Sequence, residues 1–367
     1  MKPIKLLINT KNEKYPIIIG QNLILNLSKI LNKNFIKFEK SLVVIDKNVP
    51  KKFQRKIIKN LKIKSYVHYI EASEKSKSQK TVNGIIEILL KKNFSREDCL
   101  IAVGGGITGD VVGFAASQFK RGLKFINIPT TLLAQVDSSI GGKTGINTIY
   151  GKNLIGSFYQ PKIVITDVNF LISLPKRELI CGYGEILKHA IIANKSFYNF
   201  LEKNFLNVNK LKSPFIEKAI YESCKIKKTV VENDEKEKNV RKILNFGHTF
   251  AHAYEASLNY SKKLNHGEAV LLGMVTALKF SKKQKILNNN QCNLIIKHFL
   301  DSNLPTDLKK YFSNKDVNKI VSFMTKDKKN NSNKINLILL KKIGSPLINK
   351  KFNKNNLKSF LRNELSY

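Results

Sequence analysis

Short apolar runs alternate with amphipathic stretches through the first half of the chain. The runs are rich in β-branched residues, which is typical of buried strands. They lie at residues 41–46, 66–70, 99–103, 124–129 and 162–167. Helical spacing of apolar residues separates them, as in Val111 to Phe119. Because strands that alternate with helices form parallel sheets with helices on both faces, this half is predicted to be an α/β domain.

The pattern changes after Leu174. Longer segments then show the apolar spacing of helices, for example Phe246 to Leu258 and Gly267 to Phe280. Only one late run, residues 335–340, is typical of a strand. The sequence therefore predicts an α/β domain over 1–174 and a mainly helical domain over 175–367.

Composition favours a folded protein outside the membrane. The chain has 367 residues and 42% hydrophobic content, enough for two ordinary domains. No apolar run approaches the ~20 residues of a membrane helix, and the first apolar run is too short for a signal peptide. The cysteines are widely spaced and form no CxxC pair, so neither a disulfide framework nor a cysteine zinc site is indicated. A reducing cytoplasm is expected.

Charge alone suggests a nucleic-acid partner, because the formal net charge is +38. The basic residues are nevertheless spread along the whole chain rather than gathered on one element. Of the 65 basic residues only six are arginines, the residue that base-reading proteins favour. The charge is therefore interpreted as a compositional bias, and no nucleic-acid partner is expected.

One glycine-rich segment crowds together residues that bind anionic, hydroxylated small molecules. It comprises Val136 to Asn147 and Gly151 to Pro161. Glycine lets backbone N–H groups approach a ligand, lysine attracts phosphate or carboxylate, and aspartate accepts a hydroxyl proton. The candidate ligand-binding residues are Asp137, Lys143, Lys152 and Asn153. An ordinary solvated glycine turn remains the alternative.

A second glycine cluster follows a predicted strand. Residues 99–110 comprise a buried strand, a glycine turn and the start of a helix. Such a turn can place a pyrophosphate at the helix N-terminus, although the spacing is not GxGxxG and a simple tight turn also fits. Asp46 and Thr130-Thr131 follow other predicted strands, where open α/β sheets bind ligands. These residues are candidates to contact a nucleotide.

The second half contains candidate metal ligands. His248 and His252 are four residues apart on one predicted helix face. Thr249 stands where an HExxH protease has glutamate, which disfavours metalloproteolysis. A helix, a turn and a returning helix could bring His266 beside His248, and Glu185 lies at a glycine-marked helix start. One carboxylate and two imidazoles make a three-ligand zinc site of the catalytic type.

Taken in order, these segments resemble the 3-dehydroquinate synthase family of sugar-phosphate cyclases, from about Asp46 to Gly344. The strongest matching pieces are 104–110, 118–122, 129–143, 151–161, 245–252 and 266–268. Residues 71–77 keep the family pattern only in part. The resemblance implies an N-terminal NAD-binding α/β domain and a C-terminal, mainly helical metal-binding domain, with the active site between them, in a homodimer.

The resemblance also implies a role for each matching residue. The metal ligands are Glu185, His248 and His266, which hold zinc or cobalt. The NAD contacts are Asp46, Glu74, Lys77, Gly106, Ile107, Thr108, Gly109, Asp110, Thr130, Thr131, Lys143, Lys152, Phe170, Leu171, Ile172 and Ser173. The catalytic and substrate contacts are Asp137, Lys143, Lys152, Asn153, Lys188, Lys227, Arg241, Asn245, His252 and Lys328, with Lys329 as the alternative to Lys328 and with Arg121 reaching the neighbouring subunit.

The activity that the resemblance implies is conversion of 3-deoxy-arabino-heptulosonate 7-phosphate to 3-dehydroquinate and phosphate, in the shikimate pathway to aromatic amino acids. The family's reaction consists of a transient oxidation at C5, elimination of phosphate, return of the hydride, ring opening and intramolecular aldol closure. Two alternatives remain open: another sugar-phosphate cyclase, such as a deoxy-inosose or valiolone synthase, and a metal-dependent dehydrogenase of the glycerol dehydrogenase type.

Overall fold

The computed structural model describes residues 2–11, 13–326 and 334–366. The strands are β1 Ile4–Asn9, β2 Lys14–Gly20, β3 Lys40–Asp46, β4 Lys64–Ile70, β5 Cys99–Gly104, β6 Lys124–Pro129, β7 Lys143–Thr148, β8 Gly151–Phe158, β9 Ile163–Asp167, β10 Lys334–Lys342 and β11 Ser345–Asn353. The helices are α1 Leu27–Lys33, α2 Lys51–Leu61, α3 Gln79–Lys91, α4 Gly106–Gln118, α5 Lys176–Ala193, α6 Lys195–Asn209, α7 Phe215–Asn233, α8 His248–Ser257, α9 His266–Lys283, α10 Asn289–Asp301, α11 Val317–Lys326 and α12 Lys354–Ser366. Among these described residues no helix is long and apolar enough to cross a membrane.

The chain forms two compact units. The first contains residues 1–179 and 210–236, and the second contains residues 180–209 and 237–367. Helix α7 belongs to the first unit, where it packs against β1 and β2. Local sequence patterns do not encode this return of the chain. The proposed domain division at residue 174 stays a prediction.

A seven-stranded sheet forms the centre of the first unit, in the order β1-β2-β9-β6-β5-β3-β4. Its strands pair in parallel except for β1, which runs antiparallel to β2. The α/β class predicted for this half is confirmed. All five strands predicted from apolar runs are present, whereas the sequence patterns missed β1, β2 and the hairpin that β7 and β8 form.

Both faces of this sheet are covered by apolar layers, because successive side chains of a strand point to opposite faces. In β3, Val43 and Ile45 pack in one buried cluster with residues of α1 and α2. Leu42 and Val44 pack in the other with residues of α3 and α4. Burial on both faces explains why the strand is a continuous apolar run in the sequence.

The second unit is mainly helical, as predicted. It contains α6, α8 to α12, most of α5 and the antiparallel hairpin of β10 and β11. The expectation of a single late strand is wrong, because β11 pairs with β10 along its length. The β11 sequence was missed since lysine and asparagine occupy its exposed positions.

Close approach of α8 and α9 depends on glycine. A Cβ atom on Gly273 of α9 would lie 2.2 Å from the carbonyl oxygen of Gly247. Gly247 itself has φ +81°, a backbone conformation that residues with a side chain rarely adopt. A Cβ atom on Gly267 would lie 2.3 Å from Cβ of Cys181 on α5. The contact between Gly247 and Gly273 packs the N-terminal end of α8 on α9, and both helices begin with a histidine.

Candidate active site

A crevice at the carboxyl ends of β3 and β5 lies where the strand order of the sheet reverses. From β3 the chain continues outward to β4, whereas from β5 it continues to β6 on the other side. Open α/β sheets bind ligands at such a switch point. Asp46 ends β3 and Gly104 ends β5 in the adjacent register position, so the predicted nucleotide residues flank this crevice.

The turn after β5 has room for backbone but not for side chains. A Cβ atom on Gly104 would lie 2.4 Å from the hydroxyl oxygen of Thr108, and one on Gly106 would lie 2.9 Å from that of Ser138. Helix α4 begins at Gly106, and the N–H of Gly109 donates to the carbonyl oxygen of Gly105, so the N–H groups of residues 106–108 are those without an acceptor inside the helix. A helix N-terminus of this kind attracts anions.

Lys77 joins two candidate residues from distant segments. Its ammonium group lies 2.5 Å from Oδ2 of Asp110, on α4, and 2.5 Å from Oδ1 of Asn153, on β8. Burial raises the pKa of Asp110, and the charge of Lys77 offsets part of that rise. Asn153 has φ +55°, a left-handed conformation that asparagine tolerates better than most residues.

Glu74 and Lys152 form a second charged pair in the same unit. The Lys152 ammonium group lies 3.1 Å from the carboxylate of Glu74, which also accepts a hydrogen bond of 2.6 Å from Asn147. Burial raises the pKa of Glu74, but the charge of Lys152 and these hydrogen bonds outweigh burial and lower it. Asn147 was not predicted as a site residue; only its place in the glycine-rich segment pointed to it.

Asp137 lies on a π-helical turn, Ala134–Ser138. Such turns are frequent at functional sites because the extra residue moves side chains out of register with an α-helix. The turn packs against α7, from which Lys227 donates a hydrogen bond of 2.6 Å to the Asp137 carboxylate. The Lys227 side chain is buried and that of Asp137 is 29% exposed, so this ion pair is partly shielded from solvent.

The other candidate residues of the first unit follow strands β6 and β9 or begin β7. Thr130 is buried and donates its backbone N–H to Gly104 O, beside the glycine turn. Thr131 packs near Gly105, and Lys143 is the first residue of β7. The predicted nucleotide segment 170–173 forms the end of a 3₁₀-helix, which Asp167 caps through the N–H of Asn169. Arg121 lies after α4 with φ +64°.

Three imidazoles meet where α8 and α9 begin. The ring centroids of His248 and His266 are 5.7 Å apart, and those of His248 and His252 are 5.5 Å apart. The expected return of His266 to the neighbourhood of His248 is therefore present. Burial, followed by the charge of Lys188 and the two other histidines, holds the pKa of His248 well below its usual range. Neutral imidazole is the form that binds metal ions.

Glu185 lies in the middle of α5, so the expectation that it is at a helix start is wrong; it is almost completely buried. It forms an ion pair with Lys188, one turn further along the helix. Lys188 is also the charge that most strongly depresses the pKa of His248, so Lys188 interacts electrostatically with both Glu185 and His248. Their assignment as metal and substrate residues stays a prediction.

Arg241 and Asn245 lie on a 3₁₀-helix, Val240–Asn245, just before α8. Arg241 is 2% exposed although it carries a full charge. Asn245 donates a hydrogen bond of 2.7 Å to Glu237, whose φ is +55°. Glu237 was missed by sequence reasoning, because it lies in a charged stretch that has the composition of a surface loop.

Glu255 is a further residue that sequence reasoning missed. Ligand atoms of His252, Glu255 and His266 all lie within 4.8 Å of one another. The spacing in the sequence could have identified it, because Glu255 follows His248 by seven residues and so lies on the same face of α8. Lys328, the remaining predicted substrate residue, lies outside the described part of the chain.

Two family models match adjoining parts of the chain. The 3-dehydroquinate synthase N-terminal model matches residues 67–181, and the C-terminal model matches residues 182–330. A 3-dehydroquinate synthase from Pelagibacter ubique (strain HTCC1062) is 62% identical over 364 residues, which cover 99% of this chain and 99% of the relative. The chain belongs to the 3-dehydroquinate synthase family.

As a member of the 3-dehydroquinate synthase family, the protein is an enzyme that converts 3-deoxy-arabino-heptulosonate 7-phosphate to 3-dehydroquinate, a step of the shikimate pathway. The activity expected from the resemblance is thereby confirmed and preferred over a glycerol dehydrogenase or another cyclase.

Solved structures support the fold. A 2-deoxy-scyllo-inosose synthase complexed with carbaglucose-6-phosphate, NAD+ and Co2+ has a TM-score of 0.89 at 24% identity, covering 98% of this chain and 100% of that chain. A 2-epi-5-epi-valiolone synthase from Streptomyces hygroscopicus subsp. jinggangensis 5008, with NAD+ and Zn2+ bound, has a TM-score of 0.85 at 22% identity, covering 97% and 98%. At these identities the likeness is one of fold.

Proposed function

We propose that the switch-point crevice binds NAD and that the imidazole cluster binds a catalytic divalent metal ion, zinc or cobalt. The observation that carries this proposal is the pair of preformed features, each within one unit: a glycine turn at a helix N-terminus, and three imidazoles with ring centroids within 6.0 Å of one another. Both solved relatives bind NAD+ together with Co2+ or Zn2+, which supports it.

The crevice fits a dinucleotide. Glycine at 104–106 leaves a cradle that side chains would fill, and the pyrophosphate of NAD needs such a close approach to backbone N–H groups. The buried hydroxyl of Thr108 has no hydrogen-bond partner among the described residues, so a ligand oxygen can satisfy it. Asp46, at the end of β3, is the proposed acceptor of hydrogen bonds from ribose hydroxyls.

The imidazole cluster fits a metal ion. Two histidines and one carboxylate are a common catalytic zinc set. His248 and His266 lie on adjacent helix starts, and the depressed pKa of His248 keeps its ring in the ligand form. Glu185 is the carboxylate of the proposed set, and it forms an ion pair with Lys188.

When bound, NAD supplies a hydride acceptor that is regenerated, and the metal ion supplies a Lewis acid at the substrate hydroxyl. The side chains bind the two anionic ends of the substrate, orient the ring and exclude water. Proposed contacts are Asp137, Lys143, Lys152, Asn153, Lys188, Lys227, Arg241, Asn245 and His252. Among them, Arg241 offers the planar fork that binds a carboxylate or phosphate through two hydrogen bonds.

The Asp137–Lys227 pair carries the proton chemistry in this proposal. Lys227 donates a hydrogen bond to the Asp137 carboxylate, and a carboxylate in its ionised form can accept a hydroxyl proton. We further propose a cytoplasmic homodimer without a nucleic-acid partner, in which Arg121 reaches the neighbouring subunit's site. The exposed position of Arg121 at the end of α4 is compatible with that reach.

Replacement of His248 tests the metal assignment. His248→Ala leaves two of the three proposed ligands, so bound metal and turnover should both be lost while the fold persists. Metal content is measured after dialysis, with circular dichroism as the folding control. Full zinc occupancy in His248→Ala would remove the assignment.

A further inference from the structure

Glu255 faces the imidazole cluster from the second turn of α8. It follows His248 by seven residues and His252 by three, so the three side chains form one stripe along the helix. The stripe lies against the start of α9, which packs on α8 and begins at His266. The Glu255 side chain is 7% exposed, whereas the His266 side chain is 41% exposed.

The contact between the two residues selects one nitrogen of His266. Oε2 of Glu255 lies 3.0 Å from Nδ1 of His266. An ionised carboxylate can only accept a hydrogen bond, so Nδ1 must carry the proton. In a neutral imidazole the lone pair is then on Nε2, which becomes the nitrogen that can bind a metal ion.

His248 is oriented in the same way by a different acceptor. Its Nδ1 faces the backbone carbonyl of Phe246 at 3.4 Å. Both imidazoles of the proposed metal set thus have an oxygen at Nδ1, so Nε2 is the nitrogen that would bind a metal ion. His266 depends on its acceptor more than His248 does, because an exposed side chain at the first turn of a helix retains rotamer freedom unless a hydrogen bond fixes it.

We infer that Glu255 is a positioning residue for the metal centre: its carboxylate fixes the tautomer and the ring orientation of His266 and raises the affinity for the metal ion without binding the ion itself. This inference rests on the metal site proposed above. Acceptors of this kind typically change metal affinity by about 10–100-fold.

The distances are also compatible with a competing arrangement, in which Glu255 binds the metal ion together with His252 and His266. We favour positioning because the Glu255 oxygen already lies at hydrogen-bond distance from Nδ1 of His266. Two ligand atoms bound at about 2 Å to one tetrahedral ion lie about 3.3 Å apart, so this distance by itself does not separate the two arrangements. The experiment therefore has to distinguish a ligand from a positioning residue.

The test measures the Kd for zinc in apo-protein by competition with a chromophoric chelator. Glu255→Ala should raise the Kd about 10–100-fold, and Glu255→Gln, whose amide oxygen can still accept the N–H, should raise it less. The matched control is Glu364→Ala, because Glu364 is a paired glutamate of the same unit that contacts Lys279 of α9. Its Kd should stay within about twofold of wild type, as for a substitution distant from the site.

The Co2+ absorption spectrum at saturation supplies the second measurement. A positioning role predicts wild-type band positions in Glu255→Ala, because the ligand set is unchanged. A shifted spectrum, or a Kd equal to that of wild type, would overturn the inference. If Glu255→Ala does not fold, Glu255→Gln decides: a raised Kd with an unchanged spectrum supports positioning, and a wild-type Kd contradicts it.

His248→Ala, measured in parallel, separates this inference from the proposed function. Loss of metal in His248→Ala with wild-type affinity in Glu255→Ala overturns only the role of Glu255. Wild-type affinity in His248→Ala overturns the metal site itself.

Discussion

The ammonium group of Lys227 lies 2.6 Å from the carboxylate of Asp137 and 2.5 Å from the carbonyl oxygen of the same residue. Two segments of the first unit are joined by these contacts, the π-helical turn and α7. Residues 210–236, which include α7, return to the first unit and thereby supply Lys227 to the proposed site residue Asp137.

Removal of this cation should affect both stability and activity. We expect Lys227→Met to lower the free energy of unfolding by about 1–3 kcal/mol, because a charged hydrogen bond to a largely buried group is lost. We also expect kcat/KM to fall at least about tenfold, the equivalent of about 1.4 kcal/mol. Urea denaturation and steady-state kinetics measure the two effects.

The neighbouring residue provides the control. Lys228 pairs with Glu232 one turn along the same helix. Pairs of this kind contribute about 0.3–0.5 kcal/mol, so Lys228→Met should be close to wild type in both measurements. Equal effects of the two substitutions would show that the Asp137 contact has no special role.

The sequence was sufficient to predict individual strands and turns of the first unit. Apolar runs located β3, β5 and β6, and glycine clusters marked the turn at the N-terminus of α4. The pairing of Lys227 with Asp137 could not be derived in this way, because it depends on α7 packing against a π-helical turn far away in the sequence. The lysine of that pair entered only through the resemblance to the family.

Glu255 shows a second reason why sequence patterns do not identify every site residue. Its spacing from His248 was visible in the sequence, but a glutamate on a helix face is usually solvated. Only the packing of α8 on α9, which glycines at 247 and 273 permit, buries Glu255 beside His266. Residues 327–333, which include Lys328, lie outside the described chain, so this part of the prediction stays a prediction.

Arg241 should need its guanidinium group and not only its charge. Arg241→Lys should lose roughly tenfold or more in kcat/KM, because a lysine cannot make two parallel hydrogen bonds to a carboxylate or phosphate. Binding of metal and NAD+ should survive, as measured by metal content and by titration. The control is Arg362→Lys on the exposed side of α12. Unchanged kinetics in Arg241→Lys would show that this residue does not bind the substrate.

His298 should make stability depend on pH. Burial lowers the pKa of His298 from 6.5 to about 4, where its Nε2 lies 2.9 Å from the hydroxyl of Tyr183. Between pH 6.5 and 4 the imidazole of the unfolded chain binds a proton more readily than that of the folded protein. Acidification across this range therefore lowers the free energy of unfolding by up to about 3 kcal/mol, whereas above pH 6.5 nothing is lost.

The variant His298→Gln isolates this contribution. Its free energy of unfolding should depend less on pH than that of wild type between pH 6.5 and 4, because glutamine does not titrate. Urea denaturation at several pH values gives the difference curve. A difference between the two proteins that stays constant across this range would contradict the assignment.

Phosphate release measured together with the absorbance of NADH tests the central claim most directly, because a transient oxidation returns the cofactor to its starting state. With 3-deoxy-arabino-heptulosonate 7-phosphate and NAD+, we predict equal amounts of phosphate and 3-dehydroquinate, no accumulation of NADH, and loss of turnover on treatment with a chelator. Stoichiometric NADH from glycerol or a simple alcohol, without phosphate release from the heptulosonate phosphate, would contradict the account.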